Sequence, residues 1–577
     1  MNARDASSHT GLRYQADEKP PVTLSFGLGL QLAALSIAIF ILITTVVMRG
    51  AGVSEAYLLW AVFASVAVVG VSTMLQAIRA GRIGAGFVLV MGPSEAFIAV
   101  CIMALIEGGP ALFATLVVAS SLVPFVLARR LSLFQRFLTP AIVGTVIMLI
   151  PITVLPALIN MLSVPGSSAL AAPLSALVTL LIVSGIVLKA KGILRFWAPV
   201  IGVVIGSVVG GFFGLYEVDR IAEASWIGLP ANEWAGLDIN FGTAFWTLLP
   251  GFLFVALISS IRTISSAIAI QRVSWHKSRA VDFRAVEGAV TVDGIGNMIS
   301  GLLGTMPNTA NTLGVSMAEI TGVAARSVGI ATGAVFIVLA FLPKVLAAVL
   351  AIPGPVFAAY FAVMLAALFV VGIKIVLQNG IDYRKGMIVG ISFLVGVAFQ
   401  SGLVFPEYTL DFAGGLLRNG MNAGGLTAIL LTLFLELTRP RRSRMQMTFD
   451  MSALSKIRDF LGAFVSRNGW DTAMAARLDA AAEETLLTLI PQGDAGEKHA
   501  QRHLRLTAYK EEEDAVLEFV VSSGEENLQD QIALLSEHTE EAPMEREVSL
   551  RLLRHLASSV RHQQYHETDI VTVRMKT

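Results

Sequence analysis

The sequence predicts an all-α polytopic membrane protein of about 14 transmembrane segments, a 7+7 inverted repeat, followed by a small cytoplasmic α+β domain. Three observations carry this. Of 577 residues, 55% are hydrophobic and only 15% charged, with a mean hydropathy of +0.71; a soluble domain is about a quarter charged. The net charge of zero hides an asymmetry, because charges are thin before residue 439 and dense after it. Two short motifs, Pro93-Ser94-Glu95-Ala96 and Pro307-Asn308-Thr309-Ala310, each interrupt an apolar stretch and sit 214 residues apart, at 93 and 307. In hydrocarbon a broken helix exposes backbone groups that water cannot reach, so breaks survive only when buried or lining a cavity. A matched pair of breaks points to a substrate site between two halves.

Spanning about 30 Å of hydrocarbon takes roughly 20 helical residues. Runs of that kind begin near Leu24, Ala56, Ala111, Pro140, Ala171, Trp197, Trp246, Ser327, Pro355, Gly386 and Leu426, with shorter or Gly-broken pieces near 94–106, 286–303 and 312–325. An odd number of spans per half makes the second half enter the membrane inverted. Thr139-Pro140-Ala141-Ile142 has its counterpart in Gly354-Pro355-Val356-Phe357 at nearly the same offset, and proline suits the first turn of a helix, where its missing N–H costs nothing. The division expected is a tail at 1–20, a first repeat at 21–220, an extracytoplasmic loop at 221–245, a second repeat at 246–438 and the α+β domain at 439–577.

One set of loops carries Arg79, Arg82, Arg129, Arg130, Arg136, Lys189, Lys191, Arg195, Arg272, Lys277, Arg279, Arg284, Lys374, Arg384 and Lys385, and Arg439, Arg441, Arg442 and Arg444 follow the last span. The opposite loops hold only Arg49, Arg220, Lys344 and Arg418, and the longest is acidic (Glu217, Asp219, Glu223, Glu233, Asp238). The positive-inside rule then puts both termini in the cytoplasm. No cleavable signal pattern opens the chain. The lone Cys101 excludes a disulfide framework, and no Cys/His spacing suggests a metal. In the terminal domain, residues 471–490 read as an amphipathic helix containing Glu483-Glu484. Leu504 to Val521 read as a hairpin with Glu511-Glu512-Glu513-Asp514 at its turn, Leu550 to Val560 as a helix, and Ile570 to Met575 as a closing strand.

Ionisable residues within spans are functional candidates, since burying them costs a few kcal/mol or more. They are Glu95 at the first break, Glu319 just past the second, Asp293 in the Gly-rich Asp293-Gly294-Ile295-Gly296-Asn297, and Arg262 midway along its span. Each half-helix after a break offers free N–H groups and a positive dipole end, with Ser94, Asn308, Thr309 and Asn311 as neutral partners.

These residues give the chain a resemblance to the nucleobase–ascorbate transporter family, the xanthine and uracil permeases. Gly29-Leu30-Gln31 resembles the family's first-span Gly-Leu-Gln-His, and Met91-Gly92-Pro93-Ser94-Glu95-Ala96-Phe97 its span-three motif. Phe137-Leu138-Thr139-Pro140-Ala141-Ile142-Val143-Gly144-Thr145-Val146 resembles the opening of span five. Pro307-Asn308-Thr309 and Ile320-Thr321-Gly322-Val323-Ala324-Ala325-Arg326 resemble the ends of the signature around span ten. The resemblance implies core and gate domains, elevator-like movement, proton symport and a homodimer in the inner membrane. It also implies substrate held between spans three, eight and ten; the candidate binding residues are Gln31, Ser94, Glu95, Ala96, Phe97, Arg262, Ser265, Ser266, Asn308, Thr309, Ala310, Asn311 and Leu313. Glu95, Asp293 and Glu319 are the candidates for proton coupling. The departures fall on binding positions: Arg262 stands where the family has Glu, Leu313-Gly314-Val315-Ser316 where it has Gln-Asn-x-Gly, Leu32 for His and Glu95 for Phe, while Asp293 matches the family's Asp. Two expectations follow. Arg262 and Glu95 pair across the site in one state, or Arg262 and the half-helix N-termini bind a small anion.

The terminal domain resembles the histidine-kinase-like ATPase fold of anti-sigma-factor kinases, through Glu483-Glu484-Thr485-Leu486-Leu487-Thr488 and Ser549-Leu550-Arg551-Leu552-Leu553-Arg554. Thr488 replaces the metal-binding Asn, and no Asp-x-Gly-x-Gly loop surrounds Ser522-Ser523-Gly524. The resemblance therefore implies a degenerate regulatory domain that docks a cytoplasmic protein. The expected protein is a transporter rather than an enzyme, without cofactor or nucleic-acid partner, working among membrane lipids. The alternative is a transporter-like sensor signalling through this domain.

Overall fold

The computed structural model describes residues 12–131, 139–162, 170–190, 193–216, 218–230, 234, 236–276, 279–377, 380, 382–402, 404, 417, 419–438, 443–448, 453–489, 503–511, 514–522, 544–566 and 568–576. Outside them lie the hairpin-turn residues 512–513, Ser523-Gly524, Glu217, Glu233, Arg136, Lys191, Lys277, Arg418 and the basic segment 439–442. The chain forms two compact units, a helical one and a smaller one that contains 438–577.

The first half of the helical unit runs α1 (Val22–Gly50), α2 (Glu55–Ala77), β1 (Val90–Pro93), a single 3-10 turn (Glu95–Phe97), α3 (Ile98–Ser120), α4 (Leu122–Arg129), α5 (Pro140–Leu162), α6 (Ala171–Lys189), α7 (Ile193–Phe212) and the short α8 (Val218–Glu223). The second runs α9 (Thr243–Val273), α10 (Phe283–Leu302), β2 (Asn308–Asn311), α11 (Leu313–Thr321), α12 (Arg326–Ala340), α13 (Pro343–Leu350), α14 (Gly354–Leu377), α15 (Tyr383–Gln400) and α16 (Gly420–Thr438). Within α3, Gly109 (φ 70°) precedes Pro110 and breaks the helix, because proline lacks the N–H and disfavours a helical residue before it. α12 and α13 bend by 86°. Leaving out the short α8, and counting the two parts of α3 separately (the second with α4), each strand with the helix after it, and α12–α13 as one, seven segments lie in each half among the described residues. Among the described residues, six helices are individually long and apolar enough to cross a membrane.

The two halves meet at the breaks. β1 and β2 pair antiparallel, with Val90 opposite Asn311, Met91 opposite Ala310, Gly92 opposite Thr309 and Pro93 opposite Asn308. Around them the helices fall into two packed sets: α1, α2, α3, α9, α11 and α12 with the strands, and α5, α6, α7, α14 and α15. Small residues set the closest crossings. A Cβ on Gly144 of α5 would sit 2.7 Å from the Gly372 carbonyl oxygen of α14, and one on Gly372 would sit 2.8 Å from the Gly144 oxygen. Gly70 of α2 and Gly333 of α12 face each other in the same way, at 2.8 and 2.5 Å. Such reciprocal contacts let backbones approach where lipid supplies no hydrophobic drive.

The N-terminal segment, read from composition as a polar tail, is partly built into the helical unit. Ala324 N–H donates to the Tyr14 carbonyl at 2.9 Å, Arg326 N–H to Ala16 at 3.2 Å, and Ala16 N–H to Ser274 at 3.3 Å. The Arg326 guanidinium pairs with Asp17 and donates to the Gly86 carbonyl at 2.7 Å. Residues 13–17 thus form a strap across the ends of α9 and α11.

The smaller unit comprises β3 (Ser443–Thr448), α17 (Ala453–Asn468), α18 (Thr472–Leu489), β4 (His503–Glu511), β5 (Asp514–Ser522), α19 (Met544–Leu556), β6 (Ser559–Gln564) and β7 (Thr568–Lys576). The antiparallel sheet has the order β3-β4-β5-β7-β6, and its core includes Leu478, Leu506, Phe519, Leu553 and Val571. The helix and the hairpin stand where expected. One expectation is corrected: the helix read to Val560 stops at Leu556, with Val560 in β6; the strand read at Ile570 to Met575 is β7, an interior strand, while β6 forms the edge. Residues 275–284, which connect α9 to α10, also belong to this unit.

Candidate functional site

The β1–β2 crossing positions the site. Pro93 ends β1 and Ser94, fully buried, donates its N–H to the Pro307 carbonyl at 2.8 Å, so the second break supplies an acceptor for the first. Close packing is needed here: a Cβ on Gly92 would fall 2.3 Å from the Phe40 ring, and one on Gly296 would fall 2.5 Å from Ser72 Oγ. Beyond Ser94 the 3-10 turn projects Glu95 toward the middle of α9.

α9 supplies the facing wall. Ser259, Arg262, Thr263 and Ser266 share one face at helical spacing. Thr309 Oγ1 donates to the Ser259 carbonyl at 3.1 Å and lies 3.1 Å from Thr263 Oγ1, which accepts from Ala310 N–H at 3.2 Å. Ser94 Oγ is 3.3 Å from Ser259 Oγ, and Ser266 Oγ reaches the Ala310 carbonyl only at 3.5 Å. From α10, Asn297 Oδ1 accepts the Asn308 N–H at 2.6 Å, and Asn308 Nδ2 donates to Ser72 Oγ at 3.4 Å.

The charged pair sits at the end of this lattice. Arg262 Nη1 donates to Glu95 Oε2, and Nη2 to Oε1 at 3.5 Å, closing a two-pronged fork between groups only 12% (Glu95) and 17% (Arg262) exposed. A buried pair of this kind is costly to break, because removing one partner strands the other charge. Phe97 seals the site, its ring 6.0 Å from Phe252 of α9, with Ala96 buried beside it. Asp293 of α10 is fully buried, and neither carboxyl oxygen makes a hydrogen bond; the hydroxyls of Thr263 and Ser260 are its polar neighbours. That of Ser260 already donates to the Ala256 carbonyl at 2.9 Å.

The structure thus brings Ser94, Glu95, Ala96, Phe97, Arg262, Ser266, Asn308, Thr309 and Ala310 together, with Asp293 behind Thr263. Asn311 Oδ1 accepts the Leu313 N–H at 3.1 Å, so these two shape the start of α11. Ser265 turns back to the Ile261 carbonyl at 3.0 Å. Gln31 is half-buried on α1, and Glu319 is exposed near the end of α11. Sequence reading missed Ser72, Ser259, Thr263 and Asn297, and also Tyr360. The last is fully buried on α14 with an unpartnered hydroxyl within electrostatic reach of Glu95. A lone tyrosine in the apolar run 354–377 was the available signal. Tyr360 also walls an apolar cavity of about 530 Å³ between α1, α7, α13 and α14, which the Glu95–Arg262 pair does not line. Among the described residues no cluster of His, Cys, Asp or Glu could hold a metal ion.

Residues 24–403 match the family model described as the permease family, of the xanthine/uracil type. The chain is 28% identical over 452 residues to the xanthine permease XanP of Escherichia coli (strain K12), covering 74% of this chain and 95% of that protein. It is 25% identical over 421 residues to the uric acid permease PucK of Bacillus subtilis (strain 168), covering 72% and 96%. Among solved structures, the transmembrane domain of a cyanobacterium bicarbonate transporter, BicA, aligns with a TM-score of 0.45 at 15% identity, over 73% of this chain and all of that one. With two halves crossing at paired breaks and a family match across both, this chain is a multi-pass membrane protein that belongs to the xanthine/uracil permease family.

Proposed function

We propose that this permease carries an oxopurine of the xanthine or uric acid kind into the cell with a proton, by an elevator-like movement of the helix set that holds β1 and β2. The Glu95–Arg262 fork is the observation that carries the reading. A neutral or deprotonated oxopurine offers carbonyl and ring-nitrogen acceptors beside N–H donors. It can therefore replace each partner of the fork: Arg262 takes the acceptor edge and Glu95 takes an N–H. Substrate entry then exchanges one satisfied pair for another, and neither charge is left buried alone. The similarity to XanP and PucK supports this substrate class.

Asp293 supplies the proton step. A carboxyl with no cation or hydrogen-bond donor engaged is cheapest in its neutral form, so the proton rides on Asp293 and is released when movement of the site rehydrates it. The two helix sets, each internally close-packed through glycines, support rigid-body movement of one against the other. The basic loops support cytoplasmic termini and an inner-membrane setting. The homodimer is a proposal from family analogy.

Uptake of labelled xanthine and uric acid into membrane vesicles tests the reading. Glu95→Gln and Arg262→Gln each lower uptake at least tenfold, and the exchanged pair Glu95→Arg with Arg262→Glu recovers part of it. Normal transport by both single variants would sink the proposal. A small-anion substrate on Arg262 alone predicts something else, loss in Arg262→Gln but not in Glu95→Gln.

A further inference from the structure

The apolar cavity of about 530 Å³ within the helical unit lies apart from the Glu95–Arg262 fork. Leu35 and Ile39 of α1, Val200 and Val204 of α7, Val349 of α13 and Tyr360 of α14 help to wall it. On α7 its lining residues recur every three or four positions from Pro199 to Gly211, so one stripe of that helix faces it. Three lining residues, Ala34 of α1 and Val204 and Val208 of α7, are exposed although they stand well inside their helices. The cavity therefore opens sideways between α1 and α7. In a bilayer an opening at that depth meets acyl chains and not water. Its volume lies within the range of about 300–1,000 Å³ that holds small ligands.

Two polar atoms interrupt the apolar lining. Ser207 Oγ and the Tyr360 hydroxyl are buried without a hydrogen bond. An unpaired buried hydroxyl is costly, which favours an occupant that carries an acceptor over a bare hydrocarbon. The cavity also shares Tyr216 and Val218 with a second pocket of about 780 Å³ beyond the end of α7. Tyr216 is fixed between the two by donating its hydroxyl to the Ala348 carbonyl at 2.9 Å. Asp219, Glu223 and Ser225 line the second pocket. Lys344 stands beside it: its N–H donates to the Ser225 carbonyl at 3.1 Å, and its ammonium lies 4.8 Å from the centre of the Trp226 ring. Trp226 is exposed, as tryptophans at the headgroup level of a bilayer are.

Apolar chamber, buried hydroxyls and charged pocket follow one another in the order of a phospholipid's tail, esters and headgroup. We propose that the two cavities form one binding site for phosphatidylethanolamine. An acyl chain fills the 530 Å³ cavity, an ester carbonyl accepts from Ser207, the ammonium pairs with Asp219 and Glu223, and the phosphate faces Lys344. The two carboxylates select the headgroup, because phosphatidylglycerol brings the same phosphate without a cation to meet them. The site does not depend on what the permease carries.

The test uses the full-length protein in vesicles containing phosphatidylethanolamine with a photoactivatable diazirine midway along one chain. In the unchanged protein, label concentrates on peptides covering 34–39 and 199–211, and the phosphatidylglycerol analogue labels them at least fivefold less. Val204→Phe with Val208→Phe fills the mouth and lowers labelling at least fivefold. Leu394→Phe, at another exposed apolar position on α15, leaves it unchanged. Asp219→Asn with Glu223→Gln removes the preference for phosphatidylethanolamine over phosphatidylglycerol among lipids retained in native mass spectrometry. Label spread evenly over the exposed apolar helix faces overturns the site, and this outcome is read on the unchanged protein, whatever the fate of the variants. Equal labelling by both lipids, or a preference that survives loss of the carboxylates, overturns the headgroup assignment. Undiminished labelling of the filled variant overturns the cavity as the seat of the chain.

Discussion

In the proposed site the planar guanidinium of Arg262 offers two parallel donors, where lysine offers one rotating point charge. Arg262→Lys is therefore expected to raise the KM for xanthine about tenfold, the cost of roughly 1.4 kcal/mol for one lost charged hydrogen bond, with protein abundance unchanged by immunoblot. Asp293→Asn keeps the neutral shape of the carboxyl and removes its proton exchange. Uphill accumulation should disappear while substrate counterflow survives; loss of both would show Asp293 to be a binding or folding residue instead. Glu95 and Arg262 were legible as candidates because charge in an apolar run stands out, and their pairing, which the structure shows, was one of two expectations. The hydroxyls of Ser259 and Thr263 were not legible. Ser and Thr in helices commonly bond back to their own turn, as Ser260 and Ser265 do here, and sequence does not show which ones face a neighbour.

At the scale of elements, the glycine crossings and the helix caps make separate predictions. Gly144→Val places a side chain within 2.7 Å of the Gly372 carbonyl, a backbone that cannot yield as a side-chain end would. Overpacking of this kind costs about 1–3 kcal/mol, so detergent-solubilised Gly144→Val should unfold several degrees earlier, whereas Gly390→Val, which meets nothing nearby, should not. Asp382 caps α15 by accepting the Lys385 N–H at 2.6 Å, and this bond holds its carboxyl below the ordinary carboxylate range. A depressed pKa means stabilisation present at neutral pH and lost only as pH falls through the lowered folded-state value. Asp382→Ala should therefore cost about 0.5–1 kcal/mol near neutrality, modest because the group is half-exposed, and nothing at strongly acid pH; a difference that grows on acidification would contradict this. The breaks at 93 and 307 were readable because proline and polar residues stand out in apolar runs. The strap at 13–17 was not, because main-chain pairing leaves no mark on composition.

For the whole molecule, the helix set that carries both breaks and the ion pair is the one proposed above to move, with substrate and proton together. In proteoliposomes, an inward proton gradient imposed by an acid pulse should speed xanthine uptake severalfold, and a protonophore should return it to the downhill rate; an uptake indifferent to both would exclude symport. Hydropathy and the repeat offset carried the architecture of the helical unit, where the bilayer leaves few choices. The terminal domain was less legible. Val560 follows the helix pattern of Leu550–Leu556 closely enough to disguise the start of β6, and strand order in a sheet depends on partners distant in sequence.

The fork between Glu95 and Arg262 also dates the protein's own assembly. Its members are 167 residues apart, so at ordinary translation rates Glu95 leaves the ribosome roughly 10–30 s before its partner. Through that interval β1 has no β2 to pair with and the carboxyl has no counter-charge. The fork and the β1–β2 ladder, the contacts that join the two halves at the breaks, are therefore completed only once the second half has emerged.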